Sequence, residues 1–175
     1  IDVRAFGQVF GFNDQKGMSE GIRGPVSIQS AFSVCPVMID SMQITKSVNG
    51  AGKGKASDTM GMKHKVTSAM YVAKGSINHQ LAQKTGFTDE DAEKIKEALR
   101  TLFVNDASAA RPDGSMEVCK VYWWRHNCPM GQYSSAKVHR SLKISANTEL
   151  PKCFEDYSIT VEALDGLEPE VIEGV

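Results

Sequence analysis

The stretch with the clearest chemical potential covers residues 23–34, where a cation, a turn and polar side chains at strand spacing follow one another. Its apolar residues occupy alternate positions, and Ser27 and Gln29 fall on the opposite face. Hydroxyl and amide groups on an open sheet face can hydrogen-bond phosphates, sugars or bases. Arg23 and Gly24 add a positive charge and accessible backbone at its start. The pattern predicts a central strand that binds a polyanion, with an ordinary surface strand as the alternative.

Charge is unevenly distributed along the chain, although the formal net charge is only −1 at pH 7. Residues 118–148 contain no acid, and their basic side chains are interleaved with Tyr122, Trp123 and Trp124. Residues 42–65 are also basic, and the tail from Glu149 onward is acidic. Basic segments with aromatic residues are typical of nucleic-acid binding. A self-assembling protein that pairs its basic and acidic segments, without nucleic acid, remains the alternative.

Length and composition favour one globular domain with its own core, because the 175 residues are 41% hydrophobic and 23% charged. No apolar run approaches the length of a membrane span, and no signal peptide is visible. We therefore expect a cytoplasmic protein without a membrane partner. Its four cysteines lack a CxxC motif, which favours reduced thiols over a disulfide framework.

Catalytic and metal-binding patterns are weak. The sequence contains no HExxH motif, no Ser/His/Asp arrangement and no paired carboxylates at helical spacing on a plausible cleft element. Cys119, His126, Cys128 and His139 come nearest to a metal site, but their spacing differs from that of zinc fingers. We predict no catalytic residue, no cofactor and no metal, and therefore a binding protein rather than an enzyme.

The remaining elements follow from periodicity and turn residues. The best helix begins after Thr88, a predicted cap, and Gly86 ends the helical stretch before it. The other predicted elements are a strand over residues 3–12, a loop over 13–21, a hairpin with a glycine-rich tip at 48–57, a strand over 66–77, a helical stretch over 78–84, a strand over 115–126 and a final strand over 157–161. A sheet backed by few helices is the α+β layer arrangement.

Six motifs, in chain order, suggest a family. They are Asp2-Val-Arg-Ala-Phe-Gly7, Ile22-Arg-Gly-Pro-Val-Ser-Ile-Gln29, Ser41-Met-Gln-Ile-Thr-Lys46, Asp58-Thr-Met-Gly-Met-Lys-His64, Thr85-Gly-Phe-Thr-Asp-Glu-Asp91 and Asp106-Ala-Ser-Ala-Ala-Arg111. Together they closely resemble the repeated backbone subunit of the type I-C CRISPR surveillance complex, of the RAMP superfamily. The resemblance extends through Lys143.

The resemblance implies a modified ferredoxin-like or RNA-recognition-motif palm, as a single domain over residues 1–175 with a thumb β-hairpin inserted at about 42–65. Such subunits bind guide RNA (crRNA) and polymerise along it as the backbone of an antiviral complex. The implied partners are crRNA, target DNA through the crRNA, copies of the chain itself and other subunits of the complex. A RAMP-type RNA-processing endoribonuclease is a further alternative, since type III relatives cut RNA.

The resemblance also implies which residues hold RNA, with Met18 on a finger-like loop and Met42 and Lys46 on the thumb. The full set is Arg4, Met18, Arg23, Gly24, Ser27, Gln29, Met42, Lys46, Lys63, His64 and Arg111. Full members of the family carry a first palm strand and helix before the Asp-Val-Arg motif, and these are absent here. If the chain is a true fragment, we expect exposed sheet edges and apolar surface that need another chain.

Overall fold

The structure, a computed structural model, describes residues 1–11, 19–45 and 60–175. The predictions for Met18, Lys46 and the hairpin tip at 48–57 lie outside the described residues. The chain divides into two compact units. Unit 1 comprises Ile1–Ser30, Ala73–Lys143 and Ile159–Val175, and unit 2 comprises Ala31–Val72 and Ile144–Ser158.

Helices in the described residues are short, and α3 is the longest at 12 residues. They are α1 (Asp2–Phe6), α2 (His79–Thr85), α3 (Asp89–Arg100) and α4 (Ser135–Ser141), with a 3-10 turn at Phe154–Asp156. Local signals explain both ends of α2. Asn78 accepts a hydrogen bond from the Leu81 N–H at 2.9 Å, and Gly86 closes α2 with a φ of 70°. None of the described helices has the length and apolar character that a membrane span requires.

Strands in the described residues pair two by two. They are β1 (Gly7–Gly11), β2 (Ser19–Arg23), β3 (Val26–Ile28), β4 (Phe32–Ser33), β5 (Ile39–Thr45), β6 (Met60–Val66), β7 (Tyr71–Val72), β8 (Gly75–Ile77), β9 (Lys120–Trp124), β10 (Leu142–Ala146), β11 (Tyr157–Val161) and β12 (Pro169–Glu173). The six pairs are β1–β2, β3–β8, β4–β7, β5–β6, β9–β12 and β10–β11. This mixture of helices and strands agrees with the predicted α+β class, and the ferredoxin-like palm stays a prediction.

The predicted central strand is wrong as one continuous element. β2 ends at Arg23, β3 starts after Gly24-Pro25, and β4 pairs with a different partner from β3. Pro25 has no N–H to continue a ladder, which accounts for the first break. Val26 is buried but Phe32 is 72% exposed, so the alternating residues do not share one buried face.

Five other element predictions need correction, one of them the loop over 13–21, whose residues 19–21 belong to β2. The strand predicted over residues 3–12 starts only at Gly7, because the Ala5 N–H bonds to the Ile1 carbonyl at 2.9 Å in the helical turn α1. Alternation over so few residues fits either period. The predicted strands over 66–77 and 115–126 shorten to β7 with β8, and to β9. The tail strand over 157–161 is confirmed as β11, but it is not the last, since β12 follows.

The most deeply buried apolar side chains belong to unit 1. They are Ala5, Val26, Ala82, Val138 and Leu167. Among them lies a charged residue, Asp91, which is only 1% exposed. A buried carboxylate needs hydrogen-bonded or charged partners, so Asp91 marks a point where the fold of unit 1 is held by specific bonds.

Candidate nucleic-acid interface

A tightly packed backbone corner surrounds Arg23 in unit 1. Gly7 pairs with Arg23 across the β1–β2 ladder and has a φ of +81°, which favours glycine. A Cβ on Gly24 would lie 2.2 Å from the Ala5 carbonyl oxygen, closer than any real contact. Gly24 is buried as well, so close packing of the chain itself explains this glycine. The Arg23 side chain is exposed at the edge of this corner.

Ser27 and Gln29 follow on the β3 segment, and both are exposed. Ser27 pairs with Ser76 of β8, and their hydroxyl oxygens are 3.1 Å apart. The Gln29 backbone N–H donates to the Lys74 carbonyl at 2.7 Å, which extends the β3–β8 pairing by one residue. Unit 1 therefore presents a cation, a hydroxyl and an amide within seven residues of sequence, the groups predicted to contact RNA.

Arg4 is engaged by a carboxylate. Its Nε and Nη2 donate to the two Asp91 carboxylate oxygens at 3.0 and 2.8 Å. The hydrogen bond from Arg4 is the main reason that the pKa of Asp91 lies below its ordinary range, against the opposing effect of burial. The fork of Arg4 is thus directed at α3, while its side chain remains 48% exposed. Its predicted RNA contact stays a prediction.

Arg111 has a similar engagement inside its own loop. Its Nε donates to Asp106 at 2.8 Å and its Nη2 donates to the other oxygen at 3.3 Å. This hydrogen bonding lowers the pKa of Asp106. The Arg111 backbone N–H also donates to the Ser108 hydroxyl at 3.0 Å. These bonds tie Arg111 to Asp106 and Ser108 within the loop. Its predicted RNA contact stays a prediction.

The hairpin of unit 2 carries the other described candidates. β5 and β6 pair antiparallel from Ile39 with Val66 to Thr45 with Met60, slightly beyond the predicted 42–65 bounds, and all their residues are exposed. Met42 faces Lys63. His64 faces Ser41, with 2.8 Å between the imidazole Nδ1 and the hydroxyl oxygen. Because side chains alternate along a strand, His64 lies on the face opposite to Met42 and Lys63.

Two lysines of the basic and aromatic segment pair with acids of the tail in the same chain. The acidic strand β12 pairs with β9. Lys120 binds Glu173 at 2.8 Å, and Lys143 forms an ion pair with Glu162. For these two lysines, pairing between the basic and acidic segments occurs inside one chain.

Trp123 of the same segment is covered from α3. Lys96 lies 5.6 Å from the centre of the Trp123 ring and binds Glu170 of β12 at 2.7 Å and Glu93 at 2.8 Å. These bonds raise the pKa of Lys96. The face of β9 that carries Trp123 is therefore occupied by α3 and β12 side chains. Trp123 is less accessible for stacking on RNA bases than the aromatic composition predicted.

The sulfur and imidazole groups do not assemble a metal site in the described residues, where no group of three or more His, Cys, Asp or Glu is suitably placed. His126 Nδ1 accepts a hydrogen bond from the Gln132 N–H at 3.0 Å. His139 Nε2 lies 3.0 Å from the Gly75 carbonyl oxygen. Both imidazoles thus contribute to local structure.

Comparison with known families places the chain. The model of the family described as CRISPR-associated protein Cas7 matches residues 1–162. The chain therefore belongs to the CRISPR-associated protein Cas7 family, as a Cas7-type backbone subunit of a CRISPR effector complex in antiviral defence. A comparison with curated proteins found no match. β12, which pairs with β9, lies beyond the matched residues.

Proposed function

We propose that this chain is a non-catalytic backbone subunit that binds crRNA and polymerises along it, as in type I-C complexes. The family match over residues 1–162 is the observation that carries the proposal. Its partners are then crRNA, target DNA reached through the crRNA, copies of itself and other subunits of the complex. Pairing of Lys120 and Lys143 with acids of the same chain leaves less charge in this segment for RNA and for the alternative, assembly without nucleic acid, alike.

Arg23 is the cation best placed for this role in unit 1. Among the described residues no acidic side chain pairs with Arg23, whereas Arg4 and Arg111 each bind one. Ser27 and Gln29 add uncharged donors near it in sequence. Contacts of this type bind phosphate and sugar and carry little base information. A subunit that must accept any guide sequence needs such contacts.

The direct test measures binding of labelled single-stranded RNAs of unrelated sequence over a range of salt concentrations. Arg23→Ala should lower the slope of log affinity against log salt by about 0.7, which is a roughly fivefold loss at 0.1 M salt. All sequences should weaken alike. Arg125→Ala is the matched control, since Arg125 is 71% exposed and binds Asp89. Equal affinity of the wild-type chain at low and high salt, or equal losses in both variants, would contradict the proposal.

A further inference from the structure

The Asp91 carboxylate joins two parts of unit 1 that are distant in sequence. It accepts three hydrogen bonds, from Arg4 Nε at 3.0 Å, Arg4 Nη2 at 2.8 Å and the Thr88 N–H at 3.3 Å. The Asp91 N–H in turn donates to the Thr88 hydroxyl at 3.2 Å, which completes a capping box. The carboxylate is therefore fixed by the start of α3, and the guanidinium of α1 is fixed by the carboxylate.

The residues that follow Arg4 pack closely against the backbone around Arg23. Ala5 is fully buried, and its carbonyl is the atom that excludes any side chain at Gly24. A Cβ on Gly7 would lie 2.0 Å from the Ile22 carbonyl oxygen and 2.6 Å from the Gly24 nitrogen. Residues 5–7 thus press against the backbone on both sides of Arg23. A shift of α1 must move this corner, because close-packed backbone has no room to absorb it.

We propose that Arg4 is a positioning residue, which holds α1 on the first turn of α3 through Asp91 and thereby fixes the Arg23 corner for RNA. It acts through Arg23 and does not contact RNA itself. This inference rests on the proposed function, because it assigns Arg23 to RNA. A bidentate guanidinium is needed for the role, and lysine supplies charge without the planar fork.

Three variants test the inference in the full chain, with labelled single-stranded RNA of unrelated sequences as the probe. Arg4→Lys keeps the charge and removes the planar guanidinium that binds Asp91 through two nitrogens. Asp91→Asn keeps the side-chain shape and frees a charged Arg4. Asp89→Asn is the control, since it removes the same charge from the same helical turn, where Asp89 binds only the exposed Arg125 among the described residues. Measurements well below the unfolding midpoint keep the protein folded, so loss of stability alone does not change affinity.

We expect Arg4→Lys and Asp91→Asn to weaken RNA binding by the same factor as Arg23→Ala, with the same fall of about 0.7 in salt slope. The RNA affinity of the Arg4→Lys, Arg23→Ala double variant should be no lower than that of either single variant, since both changes remove the same Arg23 contact. Asp89→Asn should bind like the wild-type chain. These results would support the inference.

A direct phosphate contact by Arg4 gives a different pattern and overturns the inference. Arg4→Lys then retains affinity, Asp91→Asn binds as tightly as the wild type or more tightly, and losses in the double variant add. Failure of the proposed function is distinguishable from both outcomes. In that case Arg23→Ala binds RNA as the wild type does, whatever the Arg4 variants show, and the inference falls with it.

Discussion

Met42 on β5 is the direct cross-strand partner of Lys63 on β6. In an antiparallel pair such neighbours have adjacent Cβ atoms on one face of the ladder. A thioether and an ammonium group are thus presented together by the hairpin of unit 2. Under the proposed function, a single RNA strand on this face would meet an apolar surface and a cation at the same point.

This pairing predicts that the two residues act as a unit. Lys63→Ala should lower the salt slope of RNA binding by about 0.7, and Met42→Ala should weaken binding without changing the slope. The double variant should lose less than the sum of the two, because neighbours that share one ligand are coupled. Any loss of RNA affinity in His64→Ala should add to the losses from Met42→Ala and Lys63→Ala without coupling, since His64 lies on the other face. A double-mutant cycle in RNA affinity measures the coupling, and additive losses for Met42 and Lys63 would refute it.

Lys65→Ala is the matched control for this hairpin. Lys65 lies two residues beyond Lys63 on the same face, and its cross-strand partner is Asp40, whereas that of Lys63 is Met42. Lys65→Ala should therefore show no coupling to Met42→Ala in RNA affinity. Coupling as large as that between Met42 and Lys63 would show that the face binds RNA by general charge and not through the Met42–Lys63 pair.

The Asp91 carboxylate should make stability depend on pH. Its pKa is lowered in the folded chain, mainly by the hydrogen bond from Arg4, so the folded state binds this proton less readily than the unfolded state does. The stabilisation is present above the ordinary Asp pKa of about 4 and is lost as pH falls through the lower folded value. We expect the thermal midpoint of the wild-type chain to exceed that of Asp91→Asn at pH 7, and the gap to narrow below about pH 4.

The comparison with Asp91→Asn isolates this one group. The pKa values of Glu97, Asp106 and Asp156 are lowered as well, so both proteins should lose stability in acid for those shared reasons. Only the difference between the two midpoints reports Asp91. A gap that stays constant from pH 7 to about pH 2 would contradict the assigned direction.

A side chain at Gly24 should destabilise the fold, whereas one at Gly21 of the preceding strand β2 should not. A Cβ at Gly24 would lie 2.2 Å from the Ala5 oxygen, whereas at Gly21 the nearest atom would be a Val9 methyl at 4.0 Å. We expect Gly24→Ala to cost about 1–3 kcal/mol, the usual range for overpacking, or more if the backbone cannot move. Gly21→Ala should change the free energy of unfolding by less than about 1 kcal/mol. Urea unfolding measures both, and equal costs would contradict the packing argument.

Thr88 should contribute as a helix cap. Its hydroxyl accepts the Asp91 N–H, so Thr88→Ala should lower the free energy of unfolding by about 1 kcal/mol. Thr88→Ser keeps the acceptor and should be within a few tenths of a kcal/mol of the wild type. Chemical denaturation of the three proteins is sufficient. Indistinguishable Ala and Ser variants would show that the cap is dispensable.

Local features of this fold could be predicted from the sequence. The start of α3 at Thr88, the end of α2 at Gly86 and the antiparallel hairpin each depend on a few consecutive residues and their intrinsic preferences. The capping box, the left-handed glycine and the register of β5 with β6 confirm them. Alternation, by contrast, could not show that Pro25 ends one ladder pairing before another begins.

The sequence alone could not predict which residues far apart in the chain contact one another. Arg4 and Asp91 are 87 residues apart, and nothing local distinguishes an arginine that binds phosphate from one that binds a buried carboxylate. The same limit applies to β12, a short run between acids whose partner strand lies some fifty residues earlier. Tertiary packing decides both, because it determines which opposite charge is brought close.

The β9–β12 ladder also affects how far RNA can use Lys120 as a binding group. An RNA that approaches Lys120 meets Glu173, a carboxylate carried by the same chain and already in place. A tethered group competes at an effective concentration on the order of millimolar or above, whatever the amount of protein present. Under the proposed function, β12 thus places a competing carboxylate beside Lys120, and RNA should gain less from this lysine than from a cation without an acidic neighbour.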